Sequence, residues 1–150
     1  MMLRCRDATR ADVPAILALL EDDMLGATRE GDDPAPYFAA FDAMQNEEGN
    51  HLIVGEVEGH GIAATCQLTF ISGLSLRASR RAQVESVRVA SALRGQGLGA
   101  QLFAEVERRA REAGCALIQL TMNRSRTSSA SFYEALGFTA SHVGYKRDLT

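Results

Sequence analysis

Residues 93–100 read LRGQGLGA. Gly95, Gly97 and Gly99 follow Arg94 within a single short stretch. A glycine cluster lets a backbone approach a ligand without a Cβ in the way. Three kinds of phosphate binder use such a loop. A P-loop closes its glycine run with Gly-Lys-Ser/Thr, whereas Gly99 is followed by Ala100 and Gln101. The spacing Gly95-x-Gly97-x-x-Ala100 meets a loose dinucleotide-binding pattern. That motif, however, opens a βαβ unit and needs an acid about 20 residues on for the ribose. Here the next strand runs out through Leu120, Thr121, Met122 and Asn123 with no acid, and the glycines come late in the chain. The third arrangement is a strand, a glycine turn and a helix whose free N–H groups and positive dipole end face an anion. The alternative is a turn with a folding role alone, in which glycines weaken a helix by about 1 kcal/mol each at interior positions with nothing to offset it.

Outward from the glycines, AQVESVRVA (82–90) reads as the preceding strand. Val84 and the pair Val87 and Val89 are out of phase, which predicts a bulge near Glu85 or Ser86. GAQLFAEVERRAREAG (99–114) is the following helix: Leu98, Leu102, Val106 and Ala110 recur at i, i+4, with Glu105, Arg108, Arg109 and Glu112 expected in water and Gly114 as the stop. CALIQLTM (115–122) is nearly continuous apolar and predicts a buried central strand. SSASFYEALGF predicts a short helix ending at Gly137, and SHVGYKRDL a final strand. Upstream, LRCRDA (3–8) alternates as a first strand. Thr9 and Asp12 have capping-box spacing, and Val13, Ile16, Leu17, Leu20 and Met24 form a helical face ending near Leu25 or Gly26. PYFAAFDAMQNEE predicts a second helix. HLIVGEVEG and GIAATCQLTFI predict a hairpin turning between Glu58 and Gly61. The fold class is therefore α/β, in the order β-α-α-β-β-β-α-β-α-β, expected as one domain over residues 1–150 with no internal repeat.

Composition narrows the function. At 150 residues and 46% hydrophobic, the chain can bury one real core. A net charge of −3 with no basic tract argues against nucleic acid. No apolar run reaches the ~18 residues of a membrane span, and the start MMLRCRDATRAD does not read as a secretory signal. Cys5, Cys66 and Cys115, odd in number and widely spaced, predict reduced core thiols and a cytoplasmic protein.

Arg94-Gly95-Gln96-Gly97-Leu98-Gly99 resembles the Arg/Gln-x-x-Gly-x-Gly/Ala signature of the GNAT superfamily of N-acetyltransferases. VESVRV resembles that family's fourth strand, SFYEALGF its late helix, and RDATRADVPAIL its first strand and helix. The second half, LTMNRSRTSSASFYEALGFTASHVGYK, is also similar to aminoalkylphosphonate N-acetyltransferases. The resemblance implies a GNAT fold with strands four and five splayed and acetyl-CoA as co-substrate. It further implies that the amides of Arg94, Gly95, Gln96, Gly97, Leu98, Gly99 and Ala100 hold the pyrophosphate. Val87 and Val89 would bind pantetheine through their main chain, the N–H of Val87 or Arg88 would meet the oxyanion, and Asn123 would meet the pantetheine or the thioester. Asn123 also reads as a simple turn former. Ser91 stands where many members have proline, a departure expected to matter little.

Acetyl transfer to an amine needs a base for the ammonium, donors for the oxyanion and an acid for the departing thiolate. Tyr133 fills the last role by resemblance: a phenol, with an ordinary pKa near ~10, carries its proton at neutral pH. It follows Phe132 in a helix whose apolar side holds Phe132 and Leu136, so it is expected to point elsewhere. Glu85 fills the first, as base through water or as a binder of the amine. A carboxylate in an apolar strand needs a purpose or a partner, and the partner alternative is an ion pair with Arg81. The acceptor is expected to be a small-molecule amine. The acids Glu21, Asp22, Asp23, Glu30, Asp32 and Asp33 either attract a cationic one or form a solvated loop; the aminoalkylphosphonate resemblance implies instead that Arg124 and Arg126 contact an anionic one, and His142 either lines the pocket or packs at a strand start. A peptide acetyltransferase and a noncatalytic acyl-CoA-binding module on the same fold are the alternatives. Phe70, Ile71 and Leu74, if exposed together, would make a homodimer face.

Overall fold

The computed structural model describes residues 1–22 and 29–150. The expected end of the first helix near Leu25 or Gly26, and Asp23, lie outside the described residues. The chain divides into two compact units, residues 1–119 and residues 120–150.

In the first unit β1 (Arg4–Asp7), β2 (Asn50–Val57), β3 (Gly61–Ile71), β4 (Arg80–Val89) and β5, which begins at Cys115 and ends at Leu120, form a sheet in the order β1-β2-β3-β4-β5. The first four strands pair antiparallel. A helix, α3 (Leu98–Glu112), connects β4 to β5, the crossover that a parallel pair requires. One face of the sheet packs against α3, where Leu98, Leu102, Val106 and Ala110 are buried as their spacing predicts. The other face carries α1 (Val13–Glu21) and α2 (Ala35–Gln45), whose Val13, Ile16 and Phe41 bury Ala8 and Val54.

The first turn of this unit is pinned by charge. Thr9 and Asp12 form the expected capping box, with the Asp12 carboxylate accepting the Thr9 N–H at 2.7 Å. Arg6 reaches the same carboxylate at 2.6 Å and Glu56 at 3.0 Å. The Arg6 guanidinium holds Asp12 down at about 2.

Several expectations need correction. β5 is the last strand in the sheet order and its residues are mostly half-buried, so it is not a buried centre; only β4 flanks it in that order. Glu105 and Arg109 do not stand in water. Their side chains are each 18% exposed and bond each other at 2.9 Å, with Arg109 also on Asp7, because the sheet edge at β1 lies against that side of α3. Burial is partial for Cys5 and Cys115 and complete for Cys66, whose thiol burial pushes up to about 12.

The link between β3 and β4 holds an unexpected feature. Leu76, Arg77 and Ala78 all have positive φ, near +54°, +60° and +59°, in a left-handed turn closed by Ala78 N–H on the Leu74 carbonyl at 3.0 Å. Leu74 is exposed here, but Phe70 is half-buried between His51 and Arg80, so the three apolar residues do not form one open patch.

In the second unit, α4 (Thr127–Ala135) ends in a Schellman motif. Phe138 N–H donates to the Tyr133 carbonyl and Gly137 N–H to that of Glu134, both at 3.0 Å, with Gly137 at φ +93°. The expected final strand over SHVGYKRDL is not formed. Residues 139–150 carry no ladder, and Val143, Tyr145 and Leu149 are exposed. Alternation cannot anchor a strand without a partner, and Gly144 with the run Lys146, Arg147 and Asp148 leaves little apolar face to bury.

Candidate functional site

The site begins at the bulge in β4. Gln67 pairs with Glu85 and Thr65 with Arg88, so two steps on β3 oppose three on β4. The extra residue is accommodated with Ser86 at φ +54°. The phase shift between Val84 and Val87 is therefore the bulge that the valine pattern predicts. Its consequence is that Glu85 and Arg88, three apart, share one face of the sheet. Glu85 is exposed and has no side-chain hydrogen bond or ion pair among the described residues. Two expectations are thereby corrected: the carboxylate is not sunk in an apolar strand, because the bulge lifts it out, and it is not paired with Arg81.

Past the bulge, backbone directions follow from the ladder. Ala90 N–H donates to the Ala63 carbonyl at 2.8 Å. With Ala64 opposite Val89 and Thr65 opposite Arg88, the strict alternation of an antiparallel pair turns Arg88 N–H toward β3 and the N–H and C=O of Val89 away from it. The main chain of Arg88 is thus committed to the sheet, while Val87, inside the bulge, has no partner in the ladder. The Val87 carbonyl already accepts the Arg88 guanidinium at 2.9 Å.

The strand then enters a 3-10 turn at Ser91–Leu93 and the glycine turn. Gly95 and Gly97 have φ +79° and +78°, and a Cβ at either would meet open space. Space does not demand glycine there; backbone conformation does. Gly97 is the N-cap of α3 and supplies no side-chain cap, so the first N–H groups of the helix lack the partner that a Ser or Asp would give. Leu93 and Leu98 are buried and anchor the two ends of the turn, Gly99 is half-buried, and Arg94, Gln96 and Ala100 are exposed. The donor set is backbone N–H plus one guanidinium, which suits a pyrophosphate.

The sequence reading misses the residue that holds this turn. Asp22 accepts Ser91 N–H and the Ser91 hydroxyl, each at 2.8 Å, while its backbone carbonyl accepts Arg94 at 3.2 Å. Ser91 therefore matters, contrary to expectation, because proline would remove both donors. Contacts across 69 residues leave no local signal, though an acid just after a helix is a visible candidate. Two other acids of that region are bound locally: Glu30 accepts the Tyr37 hydroxyl at 2.8 Å and Asp33 accepts Ala35 N–H at 3.0 Å.

Asn123 and Tyr133 belong to the second unit. Asn123 Oδ1 accepts Ser125 N–H at 3.0 Å and the Ser125 hydroxyl at 2.7 Å, the arrangement of a turn former. Tyr133 is half-buried. Its ring meets Phe132 at 5.2 Å and Phe138 at 5.9 Å, both edge-on, so it sits among aromatics instead of turning away from them; the Schellman turn folds Phe138 back onto it. His142 is exposed and bonds Ser141 at 2.7 Å.

A model of the acetyltransferase (GNAT) family matches residues 14–138. The chain belongs to that family. Its members are acetyl-CoA-dependent acyltransferases. Over 67 residues the chain is 34% identical to the aminoalkylphosphonate N-acetyltransferase of Salmonella typhimurium, a match covering 45% of this chain and 44% of that protein. The chain thus spans less than half the length of that curated relative. A crystal structure from Bacillus halodurans, described as a transcriptional regulator, superposes with a TM-score of 0.93 at 41% identity, covering 99% of this chain and all of that one (100%). Glucosamine-6-phosphate N-acetyltransferase from Arabidopsis thaliana superposes at 0.83 with 19% identity over 100% of both chains, a likeness of fold. Among the described residues, no helix is long and apolar enough to cross a membrane, and no group of His, Cys, Asp and Glu could hold a metal ion.

Proposed function

We propose that this GNAT protein moves the acetyl group of acetyl-CoA to the amine of a small molecule by direct attack. The observation that carries the reading is the glycine turn: two positive-φ glycines open an α-helix with no side-chain cap, directly after a strand whose outer amides are not used by β3. The amides of residues 94–100 then bind the pyrophosphate, and Val87 and Val89 bind the pantetheine arm through their main chain. The Val87 N–H stabilises the oxyanion as charge builds on it.

Glu85 takes the ammonium proton, through water, so that the nitrogen lone pair can attack the thioester carbon. Its exposure, and the lack of an ion pair to it among the described residues, support that role. Tyr133 donates its phenolic proton to the departing thiolate. This assignment rests on the resemblance of SFYEALGF and is supported by the two aromatic neighbours that fix the ring.

The test is release of CoA thiol across aminoalkylphosphonates, polyamines, amino acids, aminoglycosides and a lysine peptide. The expected result is turnover with a small amine, and a fall of about a hundredfold or more in kcat/KM for Glu85→Gln. Turnover with the peptide alone would make it a protein acetyltransferase. A second reading comes from the Bacillus halodurans structure described as a regulator: acyl-CoA binding without catalysis. Tight CoA binding with no thiol release from any amine would establish it in place of the first.

A further inference from the structure

The sheet has a polar floor beside Glu85 that folding does not require. Along β4, Ala82 and Val84 are buried on the α3 side, so Gln83 and Glu85 lie on the opposite face. Register places Gln67 beside Glu85, and Thr69 beside Gln83. Gln119 of β5 donates to Gln83 Oε1 at 2.7 Å, and Asn50 Oδ1 accepts Gln67 at 2.9 Å and Thr69 at 3.4 Å. These neighbours form one continuous band across four strands, each half-buried. On the same face α1 and α2 cover Leu52 and Val54. A face meant for helix packing is apolar, as it is there, and a face meant only for solvent is rich in charge. This band is neither: its residues are amides and a hydroxyl, with Glu85 and Arg88 at one edge and Arg81 at the other.

Hydrogen-bonding capacity is left over in the band. Gln83 uses only its oxygen in these bonds and keeps two N–H donors, while Gln119 and Gln67 keep their oxygens. Turning any of these amides over exchanges donors for acceptors but leaves both kinds on offer. A phosphate or a second ammonium would select one kind. A hydroxyl group donates and accepts at once, and a mixed amide band matches several of them. We infer that Gln67, Gln83 and Gln119 form the acceptor-binding floor, and that the acceptor is a hydroxylated amine, of the amino-sugar or amino-alcohol class, with its amine at Glu85. The inference rests on the proposed role of Glu85.

The experiment is a titration of the protein, followed by the side-chain NH2 and backbone amide resonances, with CoA and then with glucosamine, cyclohexylamine or 2-aminoethylphosphonate. Glucosamine and cyclohexylamine share a six-membered ring and an ammonium and differ in hydroxyls. The expected result is that glucosamine binds at least about tenfold more tightly than cyclohexylamine and moves the Gln67, Gln83 and Gln119 NH2 signals. In the Gln67→Leu/Gln83→Leu double variant that preference should fall below about threefold. The CoA-induced shifts of Gly95, Gly97 and Leu98 should persist, which also shows that the variant is folded. Equal binding of glucosamine and cyclohexylamine, tighter binding of the phosphonate than of glucosamine, or a preference that survives the double variant overturns the inference. Absence of the CoA shifts in the unaltered protein would instead overturn the acetyl-CoA reading, while the NH2 signals still decide the floor.

Discussion

Two turns bracket β4, and they reach positive φ by different means. The turn after the strand does so at Gly95 and Gly97, where no Cβ opposes it. The turn before it does so at Leu76, Arg77 and Ala78, each of which carries a Cβ that disfavours the left-handed region by roughly 1–2 kcal/mol. Both are exposed. The relaxed turn ends in a helix whose first donors are uncapped; the strained one closes on its own carbonyls, with Ala78 N–H on Leu74 and the Ser79 hydroxyl on Leu76. Between them the bulge places Ser86, a fourth strained residue, beside the carboxylate proposed as base. Glycine therefore stands where a ligand is proposed to meet the main chain, and strain is carried by residues whose side chains are displayed.

The comparison breaks most readily at the glycine turn. Arg94→Ala with Gly97→Val should weaken acetyl-CoA binding by about a hundredfold or more, through loss of one charge and of the cap geometry. Calorimetry checks this. Affinity within threefold of the unaltered protein would mean that the turn only folds the chain, and the contrast with residues 76–78 would lose its meaning.

The next largest effect separates holding the co-substrate from using it. Tyr133→Phe should lower kcat by about a hundredfold and leave acetyl-CoA affinity within about twofold. Phenylalanine keeps the edge-on contacts with Phe132 and Phe138. Equal losses in both quantities would make Tyr133 a packing residue.

These features were not equally legible. Gly95 and Gly97 announce themselves because residue type alone signals positive φ. The bulge could be read from Val84 and Val87, since a period of two shows any added residue. Leu76 to Ala78 could not, because nothing in Leu-Arg-Ala asks for a left-handed turn. Ser91 with Asp22, and Arg109 with Asp7, are partners that only the tertiary fold brings together. SHVGYKRDL shows the opposite error: a correct local alternation with no ladder to join.

A smaller effect tests the ion pair that starts the helix leading to Asp22. Asp12 holds the start of α1, and Asp22 at its end holds Ser91. The Asp12 pKa is depressed to about 2 by Arg6. Its contribution is therefore complete above pH ~4, its ordinary value, and is lost as pH falls toward 2. Asp12→Asn should cost about 1–2 kcal/mol at neutral pH, allowing for solvent screening at the partly exposed Arg6, and should flatten the acid limb of stability between pH 4 and 2. Urea unfolding at pH 7 and pH 3 measures both. An unchanged acid limb would move the pin elsewhere.

The smallest effect returns to the strained turn. Leu76 is 64% exposed, so removing its side chain forfeits little packing. Leu76→Gly relieves one positive-φ residue but frees the unfolded chain, two terms of opposite sign and of about 1 kcal/mol each. Asparagine tolerates the left-handed region with less gain in unfolded-state entropy, so Leu76→Asn should stabilise by about 0.5–1 kcal/mol and exceed Leu76→Gly. Acetyl-CoA affinity should not move in either variant, because residues 75–78 precede β4 while the glycine turn follows it. Chemical denaturation of the two variants ranks them. If both destabilise, the left-handed turn is not strained in the folded protein, and the two turns differ only in what they present to solvent.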